Sequence, residues 1–445
     1  MIELSGKRVV VVGLGKSGVA ALKLCQRHGA TAVGTDSAGA DKIAPEATQL
    51  GVELALGGHD GARLLEADLI VVSPGVPPLP VFDAAQGQGI PVIGELALGS
   101  HFLDAPIVAV GGTNGKSTTT TLLGDLFRVA KKRAFVGGNL GTPVCDAELA
   151  EYDVAVLEVS SFQLERAPEF HPRVSILLNI SEDHLDRYPS YLAYAEAKGN
   201  AFVQQTDADF AIVPDADADC RAQAKRGHGR LVTFGTAGDY RIVGRTIEES
   251  ASGDVFDLEG SSLHGRHNTE NAAAAIAAAR ALGVTTEATR RGLLDFQPLP
   301  HRMTLVATIG GVRFYDDSKG TNVGASVTAL RGLSEERGVL IAGGRDKHGS
   351  YEPLVRALED KGRALVLLGE AAPRIAQAVG ARVPVAHAAS MNEAVTRAQS
   401  LAKPGDAVLL SPACSSFDMF KSYADRGEQF TRAAHALAAR RGEPS

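Results

Sequence analysis

Short apolar runs punctuate the chain at 9–12, 69–72, 107–110, 154–157, 174–178, 339–342, 364–368 and 407–410. They are continuous rather than alternating, and many end in glycine or a polar residue. An alternating run buries one face of a strand, whereas a short continuous run suits a strand covered on both faces. Stretches with helical character lie between them, among them 117–131, 191–202, 268–282 and 391–401. This alternation predicts an α/β architecture with largely parallel sheets. Two proline-bearing joints, at 101–106 and 296–300, interrupt it, because proline breaks a helix or strand. A chain of 445 residues is too long for one core. The joints divide it into 1–104, 105–298 and 299–445, each a plausible domain. The alanine-rich stretch 272–279 sits inside a good helix and needs no special function.

Composition narrows the function classes. Net charge is −7, which suggests no basic face for nucleic acid. Tryptophan is absent and aromatics make up 5%, which argues against a stacking platform for single strands. Cys25, Cys145, Cys220 and Cys414 are scattered, with no CxxC pair, and read as buried free thiols in a reducing compartment. No segment approaches the roughly 18 apolar residues of a spanning helix. The N-terminus runs straight from a short strand into a glycine turn and lacks the features of a signal peptide. The expectation is a cytoplasmic protein with no membrane partner.

Two glycine turns carry candidate chemistry. The first, Gly13-Leu14-Gly15-Lys16-Ser17-Gly18, follows a strand and precedes a helix, and Asp36 ends the next strand. Such glycines let the backbone approach a pyrophosphate at a helix N-terminus, and the acid can reach a ribose hydroxyl. The second, Gly111-Gly112-Thr113-Asn114-Gly115-Lys116-Ser117, has the strand–loop–helix context of a phosphate cradle. Its backbone N–H groups would hold phosphates, Lys116 would bind the β/γ oxygens of ATP and Ser117 would hold Mg²⁺. The usual template places glycine where Val110 stands, so this loop is a shorter variant.

Further polar residues stand at apparent strand ends. Glu158 ends the run 154–157, and a carboxylate there suits a hard cation. His184 lies in the polar segment 179–186, and Lys198 in the helical stretch 191–202. Asn268 and Asn271 open the alanine-rich helix, where capping accounts for one asparagine. Arg302 follows the second joint and can act as a phosphate clamp. Three dense polar segments, 316–322, 343–347 and 411–417, follow strands of the last third. In parallel α/β sheets, ligands bind beyond the carboxyl ends of strands.

Together these motifs resemble the Mur ligase family over essentially the whole length. Gly-Thr-Asn-Gly-Lys-Ser at 112–117 is similar to the family's short phosphate loop. His-Asn-x-x-Asn at 267–271 is similar to its central-domain motif. Asp-Asp-Ser-Lys-Gly-Thr-Asn at 316–322 and Ser-Pro-Ala-Cys-Ser-Ser-Phe-Asp-Met-Phe-Lys at 411–421 look like the branch that adds D-glutamate. The Asp-Asn-Pro-Arg/Lys motif of the diaminopimelate- or lysine-adding branch is absent.

The resemblance implies three domains: Rossmann-like, P-loop-type parallel-sheet and again Rossmann-like. The first would hold the UDP end of UDP-N-acetylmuramoyl-L-alanine through Lys16, Ser17, Asp36 and Ser73, with Asn139 and His184 contributing. The central domain would hold ATP through Gly112, Thr113, Asn114, Gly115, Lys116, Ser117 and Thr118, with Asn268, Asn271, Arg302 and Asp317. Ser117, Glu158, His184 and Lys198 would hold two Mg²⁺ ions, Lys198 as a CO₂-derived carbamate. Lys116, Glu158, His184 and Lys198 would form the catalytic set. D-Glutamate would bind among Lys319, Thr321, Lys347, Ser416, Phe417 and Tyr423, in a third domain that closes over ATP. A monomer is expected.

Other readings use fewer of these residues. A folate polyglutamate synthase-like ligase performs similar chemistry but normally lacks an N-terminal glycine-turn domain. Another Mur ligase would differ in the amino acid added. A nicotinamide-dependent dehydrogenase leaves the second loop unexplained. A nucleotide-binding switch leaves Lys198 and Lys319 unexplained.

Overall fold

The computed structural model describes residues 2–442 apart from 186 and 348. The chain forms two compact units. The first comprises Met1–Ile180, Tyr194–Ser261 and Thr269–Phe296. The second comprises Ser181–Ala193, Ser262–Asn268 and Gln297–Ser445.

The first unit holds two sheets. In the smaller, the strands lie in the order Glu53–Leu56, Thr31–Asp36, Arg8–Val12, Leu69–Val72 and Val92–Gly94, with every pairing parallel. The order reverses at Arg8–Val12, the position where open α/β sheets form a ligand crevice. The valine run of that strand explains its central place. Val9 and Val11 enter one apolar cluster and Val10 and Val12 another, all at 0% exposure. Leu69–Val72 divides the same way, with Leu69 and Val71 on one side and Ile70 and Val72 on the other. Continuous apolar sequence is therefore two buried faces read alternately.

The larger sheet has nine strands, and Ile107–Gly111 lies between Val154–Glu158 and Val174–Leu177, parallel to both. Its far edge is an antiparallel extension of Tyr240–Val243, Thr246–Glu249 and Val255–Asp257. These strands carry no continuous apolar run, which is why the pattern of runs passes over them. One apolar cluster draws on both sheets, with Val9, Leu69 and Val71 from the smaller and Ile107, Ala109, Ala155 and Leu157 from the larger. Polar contacts cross the same seam. The Cys145 backbone N–H donates to Glu95 Oε1 at 2.8 Å. Glu148 pairs with Arg27 and, at 2.6 Å, with His28 Nε2.

The second unit is built on a six-stranded sheet in the order Thr304–Ile309, Val312–Asp316, Ala407–Leu410, Gly338–Gly343, Gly362–Leu368 and Val385–His387. The first pair is antiparallel and the rest are parallel. Leu340 and Ala342 enter one apolar cluster and Val339 and Ile341 the other.

The alanine-rich segment lies in the helix Arg266–Ala281, where Ala272 to Ala279 are all buried. All four cysteines are buried and unpaired by disulfides. Among the described residues, no helix is long and apolar enough to cross a membrane.

Candidate active site

The second glycine turn has the anticipated context, with sharper limits. The strand Ile107–Gly111 runs through Gly111, and the helix Lys116–Val129 begins at Lys116. It ends before Lys131, whose φ of 59° is left-handed, a common way to leave a helix. Gly115 caps its start with φ 87°, and a Cβ there would lie 2.2 Å from Asn271 Oδ1. Glycine is thus required twice at this position, by conformation and by the approach of Asn271. The first turn of a helix leaves backbone N–H groups outside the helical ladder, and here that turn opens with Lys116, Ser117 and Thr118.

Two ammonium groups converge on this loop. Lys116 Nζ donates to the carbonyls of Gly112 at 2.9 Å and Thr113 at 2.8 Å. Lys198 Nζ donates to the same Gly112 carbonyl at 2.8 Å. Lys198 is 4% exposed and stands in the helix Tyr191–Gly199. Its ammonium lies 4.5 Å from the Tyr194 ring centre, and the Tyr194 hydroxyl meets Thr113 Oγ1 at 3.2 Å. Like charges this close repel, and an anion at the loop relieves both.

Glu158 ends the neighbouring strand and is 3% exposed. Its Oε1 accepts from Asn139 Nδ2 at 2.6 Å. Its Oε2 is buried and receives no hydrogen bond among the described residues. A buried carboxylate oxygen without a donor is a costly arrangement that a hard cation satisfies. Glu158 and Ser117, buried in the first turn of the helix, therefore fit Mg²⁺ by donor chemistry. Among the described residues there is no cluster of three or more His, Cys, Asp or Glu side chains placed to hold a metal. Any such ion would need phosphate, water or modified lysine to complete its shell.

In the first glycine turn, Lys16 and Ser17 open the helix Lys16–Arg27. Ser73 Oγ donates to the Gly13 carbonyl at 2.7 Å. Both Asp36 oxygens accept backbone N–H bonds, Oδ2 from Leu14 at 2.7 Å and Oδ1 from Ala38 at 2.9 Å. Asp36 thus shapes the turn as well as standing at its rim.

The second unit gathers the other expected residues. Asp317 is buried and accepts from the Ser411 hydroxyl at 2.7 Å. Burial pushes its carboxyl up to about 7, against the opposing influence of that hydrogen bond and of Arg302. Lys319 Nζ sits 3.8 Å from the centre of the Tyr423 ring. The Thr321 N–H donates to the Lys319 carbonyl at 2.8 Å, which turns the chain sharply beside that lysine. Ser416 is buried, whereas Phe417 is 67% exposed. Lys347 Nζ pairs with Asp183 Oδ1 at 3.0 Å, and Asn322 Nδ2 donates to Asp183 Oδ2 at 3.2 Å. His184 follows in the left-handed conformation, with φ 55°. Asp183 thus joins Lys347 and Asn322, although it lies far from both in sequence. Asn268 donates to the His264 carbonyl at 2.9 Å, three residues before Asn271 on one helix.

Two residues outside the expected set organise these loops. Asn179 binds the backbone of Thr113 and Asn114. Arg426 is 1% exposed and donates to Ser318 Oγ at 3.0 Å, the Ser318 carbonyl at 2.9 Å and the Cys414 carbonyl at 3.1 Å. It thereby joins the loop carrying Lys319 to the loop carrying Ser416. An arginine in a polar helix reads as a solvated side chain, and nothing in its spacing marks it otherwise.

Three family descriptions match in succession along the chain. The Mur ligase MurD-like N-terminal domain matches residues 7–94, the Mur ligase middle domain 110–279 and the Mur ligase glutamate ligase domain 301–414. The UDP-N-acetylmuramoylalanine--D-glutamate ligase of Desulfosudis oleivorans is 44% identical over 98% of this chain and 98% of its own. The enzyme of the same name from Geotalea daltonii is 42% identical over 98% of this chain and 99% of its own. In three dimensions, the MurF ligase of Thermotoga maritima in complex with ADP superposes with a TM-score of 0.63 at 18% identity, over 99% of this chain and 100% of that one. That last likeness is one of fold.

Proposed function

Because the chain belongs to the Mur ligase family, we propose that it joins D-glutamate to UDP-N-acetylmuramoyl-L-alanine at the expense of ATP, a step in peptidoglycan precursor synthesis. The observation that carries the reading is the pair of ammonium groups, Lys116 and Lys198, on the Gly112 carbonyl. Full-length identity to ligases named for this reaction supports the choice of substrates. A folate polyglutamate synthase-like ligase is less favoured, because the first sheet and its glycine turn would then have no role.

In the proposed reaction the alanyl carboxylate attacks the γ-phosphorus, the bond to ADP breaks and an acyl phosphate forms. The amine of glutamate then attacks the acyl carbon, and the tetrahedral adduct expels phosphate. Lys116 follows phosphate charge as it develops, at the N-terminus of the helix Lys116–Val129. Ser117 and Glu158 would hold Mg²⁺ together with Lys198 as its carbamate, and His184 is assigned to the set by ligand type. Bound there, the cation would neutralise phosphate charge. The Lys198 ammonium first gives up a proton, and the neutral amine then adds CO₂ and releases a second, so that a cation becomes an anionic oxygen ligand.

Glutamate brings two carboxylates, which Lys319 and Lys347 match in charge. Lys347 already pairs with a carboxylate, that of Asp183, so its exchange for a substrate carboxylate needs no new charge in the site. Thr321, Ser416, Phe417 and Tyr423 complete the assignment. Lys16, Ser17, Asp36, Ser73 and Asn139 are assigned to the UDP-sugar. The domains 1–104, 105–298 and 299–445, read as Rossmann-like, P-loop-type and Rossmann-like, divide the three substrates among them. A cytoplasmic monomer is the proposed working form, and the four unpaired cysteines support a reducing compartment.

Phosphate release tests the reading. It should require ATP, the UDP-sugar and D-glutamate together, and L-glutamate should replace the D form poorly. Release without the sugar, or equal use of both enantiomers, would refute it.

A further inference from the structure

We propose that Asn179 is a positioning residue for the phosphate loop, holding the short loop in its nucleotide-binding shape. The proposal rests on the reading of that loop as an ATP cradle. The loop lies between the strand Ile107–Gly111 and the helix Lys116–Val129, so its middle residues have no ladder of their own. Asn114 is the critical one. Its backbone N–H donates to Asn179 Oδ1 at 2.9 Å, and its carbonyl accepts from Asn179 Nδ2 at 3.1 Å. The Asn179 carbonyl also accepts the Thr113 N–H at 2.9 Å. One residue thus satisfies three backbone groups of the loop.

The contact continues a sheet pairing. Gly111 registers with Leu177, and the Leu178 N–H donates to the Gly111 carbonyl at 3.2 Å. Beyond that point the backbone of Asn179 takes Thr113, and its side-chain amide acts as a strand partner for Asn114. Only an amide of this length offers a donor and an acceptor side by side. Aspartate lacks the donor, and glutamine is longer by one methylene. In this short loop the position of the usual first glycine is filled by Val110, which is fully buried in the strand. The loop's shape is consequently enforced from outside, by Asn179. Two residues further on, the chain leaves the first unit.

The test is calorimetric binding of ADP with Mg²⁺ to the full chain, beside steady-state kinetics. Asn179→Ala should weaken ADP binding and raise KM for ATP about tenfold, as expected when a loop must be ordered without two of its hydrogen bonds. KM for glutamate should stay within twofold, and the denaturant midpoint measured without nucleotide should fall only slightly. Asn179→Asp keeps the acceptor but turns an oxygen toward the Asn114 carbonyl, and should bind ADP more weakly than the alanine variant. ADP affinity within twofold of wild type in Asn179→Ala would overturn the proposal, as would an equal loss for ATP and glutamate. Should the alanine variant fail to fold, the near-isosteric Asn179→Asp decides alone, and wild-type affinity there overturns it. Failure of the wild-type chain to bind ADP would instead defeat the reading of the loop, and this proposal with it.

Discussion

Glu95 should set a pH dependence of stability that a single isosteric change removes. It opens the helix Glu95–His101 and is 1% exposed. One oxygen receives the Cys145 N–H, and the other receives no donor among the described residues. A helix N-terminus favours a negative charge, but burial outweighs it here and pushes the carboxyl up from 4.5 to about 7. Because the folded state binds the proton more tightly, the contribution is fully present below pH 4.5. It is lost as pH rises from 4.5 through about 7. At about 1.4 kcal/mol for each pH unit of displacement, the loss approaches ~3 kcal/mol. Glu95→Gln keeps the acceptor for Cys145 and cannot ionise. Near pH 5 the two proteins should be almost equally stable, since the protonated acid and the amide each place a hydrogen where Oε2 lies. At pH 8 the glutamine variant should be more stable by about 2–3 kcal/mol, a rise of several degrees in melting temperature. Guanidinium titrations at both pH values measure this directly. An identical difference between the two proteins at pH 5 and pH 8 would refute the reasoning.

Gly115→Ala should weaken ADP binding at least tenfold, from about 1–2 kcal/mol of left-handed backbone strain and from the approach of Asn271. Adding Asn271→Ala should relieve the steric part in the alanine-115 background, which a double-mutant cycle in calorimetry would detect. Arg426→Met should destabilise the second unit by about 3 kcal/mol, because two backbone carbonyls and a hydroxyl lose a charged donor. Its KM for glutamate should rise before its KM for ATP, and unchanged glutamate kinetics would dismiss the role given to it. Lys198→Ala should lose about a hundredfold in turnover and regain part of it with added short-chain carboxylates. Full activity without them would exclude a carbamate there.

Legibility in the sequence followed the distance over which each residue finds its partner. The apolar runs marked their strands because strand burial is written locally, residue by residue, as at Val9 to Val12. The strand–loop–helix at 107–129 was equally local. Lys198 could be tied to the loop only through family resemblance, since its partner Gly112 lies 86 positions away. Asn179, 65 positions from Asn114, looked like one more polar loop residue. Arg426 and Ser318 are 108 apart, and Glu95 and Cys145 are 50 apart. In each case the side chain alone suggests solvent, and only the fold supplies the distant neighbour that changes its meaning. The three-stranded extension 240–257 escaped for a different reason, because its short, half-exposed strands offer no continuous apolar run to detect.

The interleaving of the two units along the chain bears on how this protein can be cut. Residues 181–193 and 262–268 belong with the C-terminal part, yet both are encoded inside the N-terminal two-thirds. A fragment stopped at Phe296 would keep Asp183 while discarding Lys347 and Asn322, its partners. The complementary fragment would keep those partners without the carboxylate. Neither half carries a complete set of its own contacts, so co-expressed fragments, rather than either one alone, are the natural route to a split form of the enzyme.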